Sequence, residues 1–116
     1  MSYNIQEKDG VILIEIPTRL DASNSQELKD IIAKYVADKK YKFIIDLTNT
    51  EFIDSSGLGA IVSKIAHCRA NGGDVKIVVT NDRIKEIFNI THLDKVLKEF
   101  KTVQEALEEF NNTKNE

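Results

Sequence analysis

The sequence predicts an α/β fold: a mixed, mostly parallel five-stranded sheet with packed helices, in the order β-β-α-β-α-β-α-β-α. Three observations predict it. Apolar runs of strand length alternate with single stretches of helical periodicity, which implies parallel strands joined by right-handed crossovers. The segment "KFIIDL" is nearly continuous in its apolar character, as a strand buried on both faces requires. A turn at Gly10 alone separates the first two strand candidates, so these two pair antiparallel.

The elements follow in order. "YNIQEK" reads as a short first strand and "GVILIEIP" as a stronger second one. "SNSQELKDIIAKYVADK" reads as a helix, because Leu28, Ile31, Ile32, Tyr35 and Val36 recur at helical spacing. Ser23 or Asn24 is placed to cap it, with Gln26 or Glu27 three residues on, a capping-box arrangement. "KFIIDL" follows as a buried strand, and the stretch after it opens a second helix that runs to about Ala70. "NGGD" stops that helix and "VKIVVT" is the next strand. "NDRIKEIFNI" is a helix capped by Asn81 or Asp82, and "KVLKEF" is a short last strand. Thr102 with Glu105 makes a capping box for a final helix, "VQEALEEF". One domain is expected over residues 1–110, with the polar end 111–116 as a fraying tail.

Composition narrows the function. The 116 residues carry a formal charge of −3, so the electrostatic footprint of a nucleic-acid binder is missing. No apolar run approaches the length that spans a bilayer, and "MSYNIQEKDG" has no apolar leader core. The single cysteine, Cys68, cannot form an internal disulfide and falls at the edge of an apolar helix stripe, as a small core residue would. A cytoplasmic protein without membrane or nucleic-acid partners is expected.

All strand-to-helix loops of a parallel sheet emerge on one rim, where α/β folds place their sites. Here that rim carries 18–24, 48–56 and 80–82, so Asp21 and Ser55 should share it. The most unusual stretch on it is "IDSSGLGA", residues 53–60. On a helical wheel from Ser56 to Ala70, Leu58, Ile61, Val62 and Ile65 form the apolar stripe. The opposite side carries Ser56, Gly59, Ala60, Ser63 and His67, mostly small where a solvated face is normally long and charged. That face reads either as tight packing against a neighbouring element or as a flat surface that another protein approaches closely. Ser55 or Ser56 is placed as the helix N-cap. The same helix start offers N–H groups such as those of Gly57 and Leu58 to an anion, a phosphoserine included.

Enzymatic readings fare worse. A serine nucleophile needs a base in reach, and His67 lies about three turns away, roughly 16–18 Å by helical rise. His92 has no local pattern around it, and D-S-S-G-L-G is not the G-x-S-x-G elbow. "GLG" lacks both the third glycine of a dinucleotide fingerprint and the Lys-Ser/Thr end of a P-loop. Asp21, Asp46 and Asp54 do not form a metal set, since Asp46 belongs to an apolar strand end. No catalytic residue, metal ligand or cofactor is assigned.

"FIIDLTNTEFIDSSGLGAIV" resembles the signature of STAS-domain anti-sigma factor antagonists, with Asp54, Ser55, Ser56, Gly57, Leu58 and Gly59 matching D-S-[small]-G-[aliphatic]-G in full. "RLDASNSQELK" resembles the family's loop before the first helix, with Asp21 at its acidic position, and "NGGDVKIVVTNDRIKEIFNITHLDKVLKEF" resembles the later half. Thr18 departs from the glycine that the family often has three residues before the acidic position. The resemblance implies partner switching. The unphosphorylated protein binds an anti-sigma factor with serine kinase activity and thereby releases a sigma factor. That kinase phosphorylates Ser55 and binding is lost; a PP2C-like serine phosphatase reverses it. Asp21, Asp54, Ser56, Gly57 and Leu58 border the implied docking surface, together with Gly59, Ala60 and Ser63 of the small-residue face. A free monomer is expected. The alternative is a non-switching STAS subunit that serves as a scaffold in a stress-signalling or transport-associated complex.

Overall fold

Where each apolar run can be buried decides the strand order. The computed structural model describes residues 3–114. In chain order the elements are β1 (Asn4–Lys8), β2 (Val11–Glu15), β3 (Arg19–Leu20), α1 (Ser25–Ala37), β4 (Lys42–Asp46), β5 (Phe52–Ile53) and α2 (Ser55–Val62). They continue with α3 (Ile65–Ala70), β6 (Asp74–Val78), α4 (Asp82–Ile90), β7 (Glu99–Phe100) and α5 (Val103–Lys114). The main sheet has five strands in the order β1-β2-β4-β6-β7. β1 and β2 are antiparallel, and the remaining neighbours are all parallel. Asp9 and Gly10 both take positive φ, 55° and 80°, as the two-residue hairpin turn that joins right-twisted strands requires.

Central β4 is buried on both faces, with Phe43, Ile44 and Ile45 all fully enclosed. On one face Ile12, Ile14, Phe43, Ile45 and Ile77 pack against Leu28, Ile32, Ile61, Ile84 and Phe88 of the helices. On the other, Val11, Ile44 and Val78 pack against Ala106, Leu107 and Phe110 of α5. Lys76 also points to the α5 face. It is buried with its ammonium 3.2 Å from Asp74 Oδ2 and 4.6 Å from the Phe110 ring centre.

Several expectations change in detail. The helix expected from Ser56 to Ala70 is two helices, with a break at Ser63–Lys64. No glycine or proline causes it; the Ser63 hydroxyl and N–H both donate to Ala60 O, at 2.8 and 3.3 Å, and so compete with the helical ladder. The capping box expected at α1 does not form, because the Asn24 side chain turns back to its own loop: Nδ2 donates to Arg19 O and Oδ1 accepts from Asp21 N–H. Asn81 caps α4 as one of the two candidates, accepting from Arg83 N–H at 2.8 Å. Thr102 Oγ1 accepts from Glu105 N–H at 3.1 Å at the start of α5. The last strand is shorter than "KVLKEF", since Leu93–Lys95 forms a 3-10 turn behind a left-handed His92. α5 continues through Lys114, past the boundary expected at residue 110; no glycine or proline interrupts it there. Residues 115–116 of the expected tail lie outside the described residues.

Candidate functional site

The rim that carries the strand-to-helix loops is tied together by a feature too short to be seen in the sequence. β3 and β5 pair in parallel as a separate two-stranded ribbon, Arg19 opposite Phe52 and Leu20 opposite Ile53. Leu20 and Ile53 point inward and are buried; Arg19 and Phe52 point outward. Thr18 O accepts from Glu51 N–H at 2.7 Å, and Leu20 O accepts from Asp54 N–H at 3.2 Å. The loop of Asp21 and the turn of Ser55 are thus neighbours.

Asp54 is the joint between them. It caps α2: its Oδ1 accepts from Gly57 N–H at 3.0 Å. Its Oδ2 accepts from Ala22 N–H at 3.2 Å, across the ribbon. The N-cap expected at Ser55 or Ser56 is therefore Asp54, and the two serines are the first two residues of the helix. Both are exposed, and neither hydroxyl makes a hydrogen bond among the described residues. The donors expected to receive an anion are also corrected. Gly57 N–H is held by the Asp54 carboxylate, and Leu58 N–H donates to Asp54 O at 3.0 Å. The helix-start N–H groups without an acceptor among the described residues are those of Ser55 and Ser56.

Asp21 is held in a tight loop. Its Oδ1 accepts from the Ser23 N–H at 2.9 Å and from the Ser23 hydroxyl at 2.6 Å. These two bonds, with a smaller contribution from Arg19, hold its carboxyl below the usual carboxylate range. Asp21 is therefore an anion at neutral pH. Beneath the loop, the Tyr3 hydroxyl donates to Asn24 O at 2.7 Å, and burial pushes the phenol up to about 12.

The small-residue face divides into two. Ser56, Gly59 and Ser63 are exposed and Leu58 is half-buried. Ala60, expected on the open face, is fully buried, because α2 packs against α1 as well as against the sheet. Gly57 is buried too: a Cβ there would sit 2.7 Å from Leu20 Cγ and 2.8 Å from Leu20 O. For these two the tight-packing reading of small residues holds. Nothing lies within 4 Å of a Cβ built on Gly59. Gly57→Ala is expected to cost about 1–3 kcal/mol through overpacking, whereas Gly59→Ala is expected to gain up to about 1 kcal/mol of helix propensity. Thermal unfolding of the two variants checks this, with melting temperatures displaced in opposite directions.

The remaining candidates are accounted for. Asp46 Oδ1 accepts from Thr48 N–H at 3.0 Å, a strand-end bond to its own loop. His67 lies in α3, beyond the helix break, beside the Tyr41 ring. Cys68 is buried in the core, where desolvation pushes its thiol up. Among the described residues no group of three or more His, Cys, Asp or Glu could hold a metal ion, and no helix is long and apolar enough to cross a membrane. Sequence reasoning did not single out Arg19 and Phe52; two-residue strands carry too little alternation to reveal them.

Fold and rim together define a small α/β module that displays a serine at a capped helix start. The chain belongs to the STAS domain family, which residues 2–106 match. It is 32% identical over 108 residues to a Thermotoga neapolitana homologue of TM1081, covering 92% of this chain and 94% of that one. It is 29% identical over 105 residues to the anti-sigma-B factor antagonist of Listeria monocytogenes, covering 90% and 91%. SpoIIAA of Bacillus shares the fold at 16% identity. Its unphosphorylated form superposes with a TM-score of 0.83 over 96% of this chain and 97% of that one. Its phosphorylated form gives 0.74 over 93% and 98%.

Proposed function

We propose that this protein is an anti-sigma factor antagonist, a binding protein switched by phosphorylation of Ser55. The observation that supports this reading most is the division of labour at the start of α2. Asp54 does the capping, so the exposed Ser55 hydroxyl has no structural duty. A serine kept merely as a cap would be bonded to the helix it starts. The Listeria relative bears the antagonist's name, and SpoIIAA exists in both a phosphorylated and an unphosphorylated form.

In this reading the bare rim docks on an anti-sigma factor with serine kinase activity and frees a sigma factor. Asp21, Asp54, Ser56, Leu58, Gly59 and Ser63 supply the contact surface; Gly57 and Ala60 lie behind it and let the helix sit close to the ribbon and α1. The kinase transfers the terminal phosphoryl group of ATP to Ser55 Oγ. An O–P bond forms, ADP leaves and the hydroxyl proton passes to the kinase. A PP2C-like phosphatase hydrolyses the ester and restores the hydroxyl. The protein acts in the cytoplasm and as a monomer when free.

The test is mass spectrometry after incubation with Mg-ATP and the kinase-type anti-sigma factors of the host. One phosphoryl group is expected, on Ser55. Ser55→Ala should abolish it and Ser56→Ala should not. Phosphate on another residue, or on none, overturns the assignment.

A further inference from the structure

We infer that Arg19 and Phe52 form a second recognition element beside Ser55, built to take an aspartate or glutamate side chain of the docking partner; this rests on the reading of the Ser55 rim as the anti-sigma factor's docking surface. The two residues are opposed across the ribbon, and the next pair, Leu20 and Ile53, is clamped inward. Leu20 and Ile53 also pack on the first turn of α2 at Gly57, so the outward pair and the Ser55 turn are joined by direct packing. Phe52 is 40% exposed, a large apolar group left open to solvent. The Arg19 guanidinium lies 4.3 Å from its ring centre. A stacked guanidinium is already ordered and loses little freedom on binding.

The charge of Arg19 is only partly used. Among the described residues its side chain makes one hydrogen bond, a long one, Nε to Asp21 Oδ2 at 3.4 Å, and that side chain is 61% exposed. The two terminal amino groups have no acceptor among the described residues. That leaves a fork of parallel N–H donors, the geometry that receives a carboxylate in bidentate fashion. In the three loops of this rim, 18–24, 48–56 and 80–82, Arg19 is the only basic residue, set among Asp21, Glu51, Asp54 and Asp82. Within these loops an acidic partner group finds its counter-charge at Arg19, and a register shifted onto Asp21, Glu51 or Asp54 meets repulsion. A depression of about 490 Å³, bordered by Pro17, Thr18, Arg19, Asp21, Ser23 and Asn24, gives that side chain room. Arginine and aromatic residues are also the types enriched at the energetic centres of interfaces.

Binding of the full chain to its kinase-type anti-sigma factor, measured by calorimetry at two salt concentrations, tests this. Arg19→Glu is expected to weaken binding at least tenfold and to reduce its salt dependence, with Arg19→Lys intermediate. Phe52→Ala is expected to weaken binding about tenfold, and Phe52→Leu less. Circular dichroism should show each variant folded; Phe52→Leu keeps the test open should Phe52→Ala not fold. If Arg19→Glu binds like wild type while Ser55→Glu does not, this inference fails and the switch stands. If neither variant changes affinity, the rim is not the docking surface and both readings fall.

Discussion

Phosphorylation of Ser55 is expected to weaken the complex with the anti-sigma factor about a hundredfold while leaving the melting temperature nearly unchanged. The loss follows from charge. A phosphoserine brings about −1.5 to −2 charges at neutral pH, beside Asp54 and on the same rim as the ionised Asp21. One like-charge contact between the phosphate and an acidic group of the partner at about 5 Å costs about 0.8 kcal/mol in water and about 3.3 kcal/mol at an effective dielectric of 20. Two contacts toward the wetter end, with the added bulk, reach about 2.8 kcal/mol, which is a hundredfold in affinity. The preserved stability follows from the cap. Asp54 already satisfies Gly57, and the open N–H groups of Ser55 and Ser56 welcome an anion at the positive end of the helix. Titration calorimetry of the phosphorylated and unmodified forms, with Ser55→Ala as a control that stays bound, measures the first quantity. Differential scanning calorimetry measures the second. A phosphorylated form that binds as tightly as the bare one, or that unfolds, would show that the switch works by some other route.

The largest effect on stability is expected from Asp74→Asn. The Lys76 side chain is only 7% exposed, and its ammonium is matched by Asp74 at 3.2 Å and by the faces of Phe110 and Phe100. Removal of the carboxylate charge leaves a buried cation without its ion-pair partner, at a cost of about 3 kcal/mol. For a domain of this size that is a fall of about 12 °C in melting temperature. Lys76→Met should be close to neutral, because Asp74 retains Arg69 at 2.8 Å and the methionine fills the same space. Burial alone would raise the Asp74 carboxyl. Hydrogen bonds from Arg69 and the Val75 N–H, with the charges of Lys76 and Arg69, outweigh it and hold the group below its ordinary value. Since the folded-state value is the lower one, the unfolded chain binds the proton first as pH falls. The stabilisation is complete well above pH 4 and is lost below about pH 4, as pH falls toward the folded value. The gap between wild type and Asp74→Asn should therefore shrink over that range in pH-dependent thermal unfolding. A gap that stays constant down to pH 2 would argue against the pairing.

Much of this was legible in the sequence, for identifiable reasons. The continuous apolar run of β4 and the single helices between strands specify parallel order, because only a doubly covered strand can be apolar throughout. The tight turn at Gly10 between two strand-length runs specifies an antiparallel opening. The helix break was hidden because a serine hydroxyl, and not a glycine or proline, causes it. The cap lies one or two residues before the serines expected to supply it, because Asp, Ser and Ser are all good caps; Asp54 takes the Gly57 N–H and is held in place by the Ala22 N–H across the ribbon. Ala60 was assigned to the open face because a wheel shows one neighbour, and α2 has two. Arg19 and Phe52 stayed unseen because their partnership is a long-range pairing of two-residue strands.

One consequence of the parallel register remains. Asp74 and Lys42 stand side by side where their strands begin, while the serine turn emerges past the end where β4 stops. The ion pairs at the strand starts and the serine turn proposed to meet the partner therefore occupy opposite poles, with the length of the strands as a spacer. Descendants of such a domain are free to change companions, residue by residue, without reopening the question of how they fold.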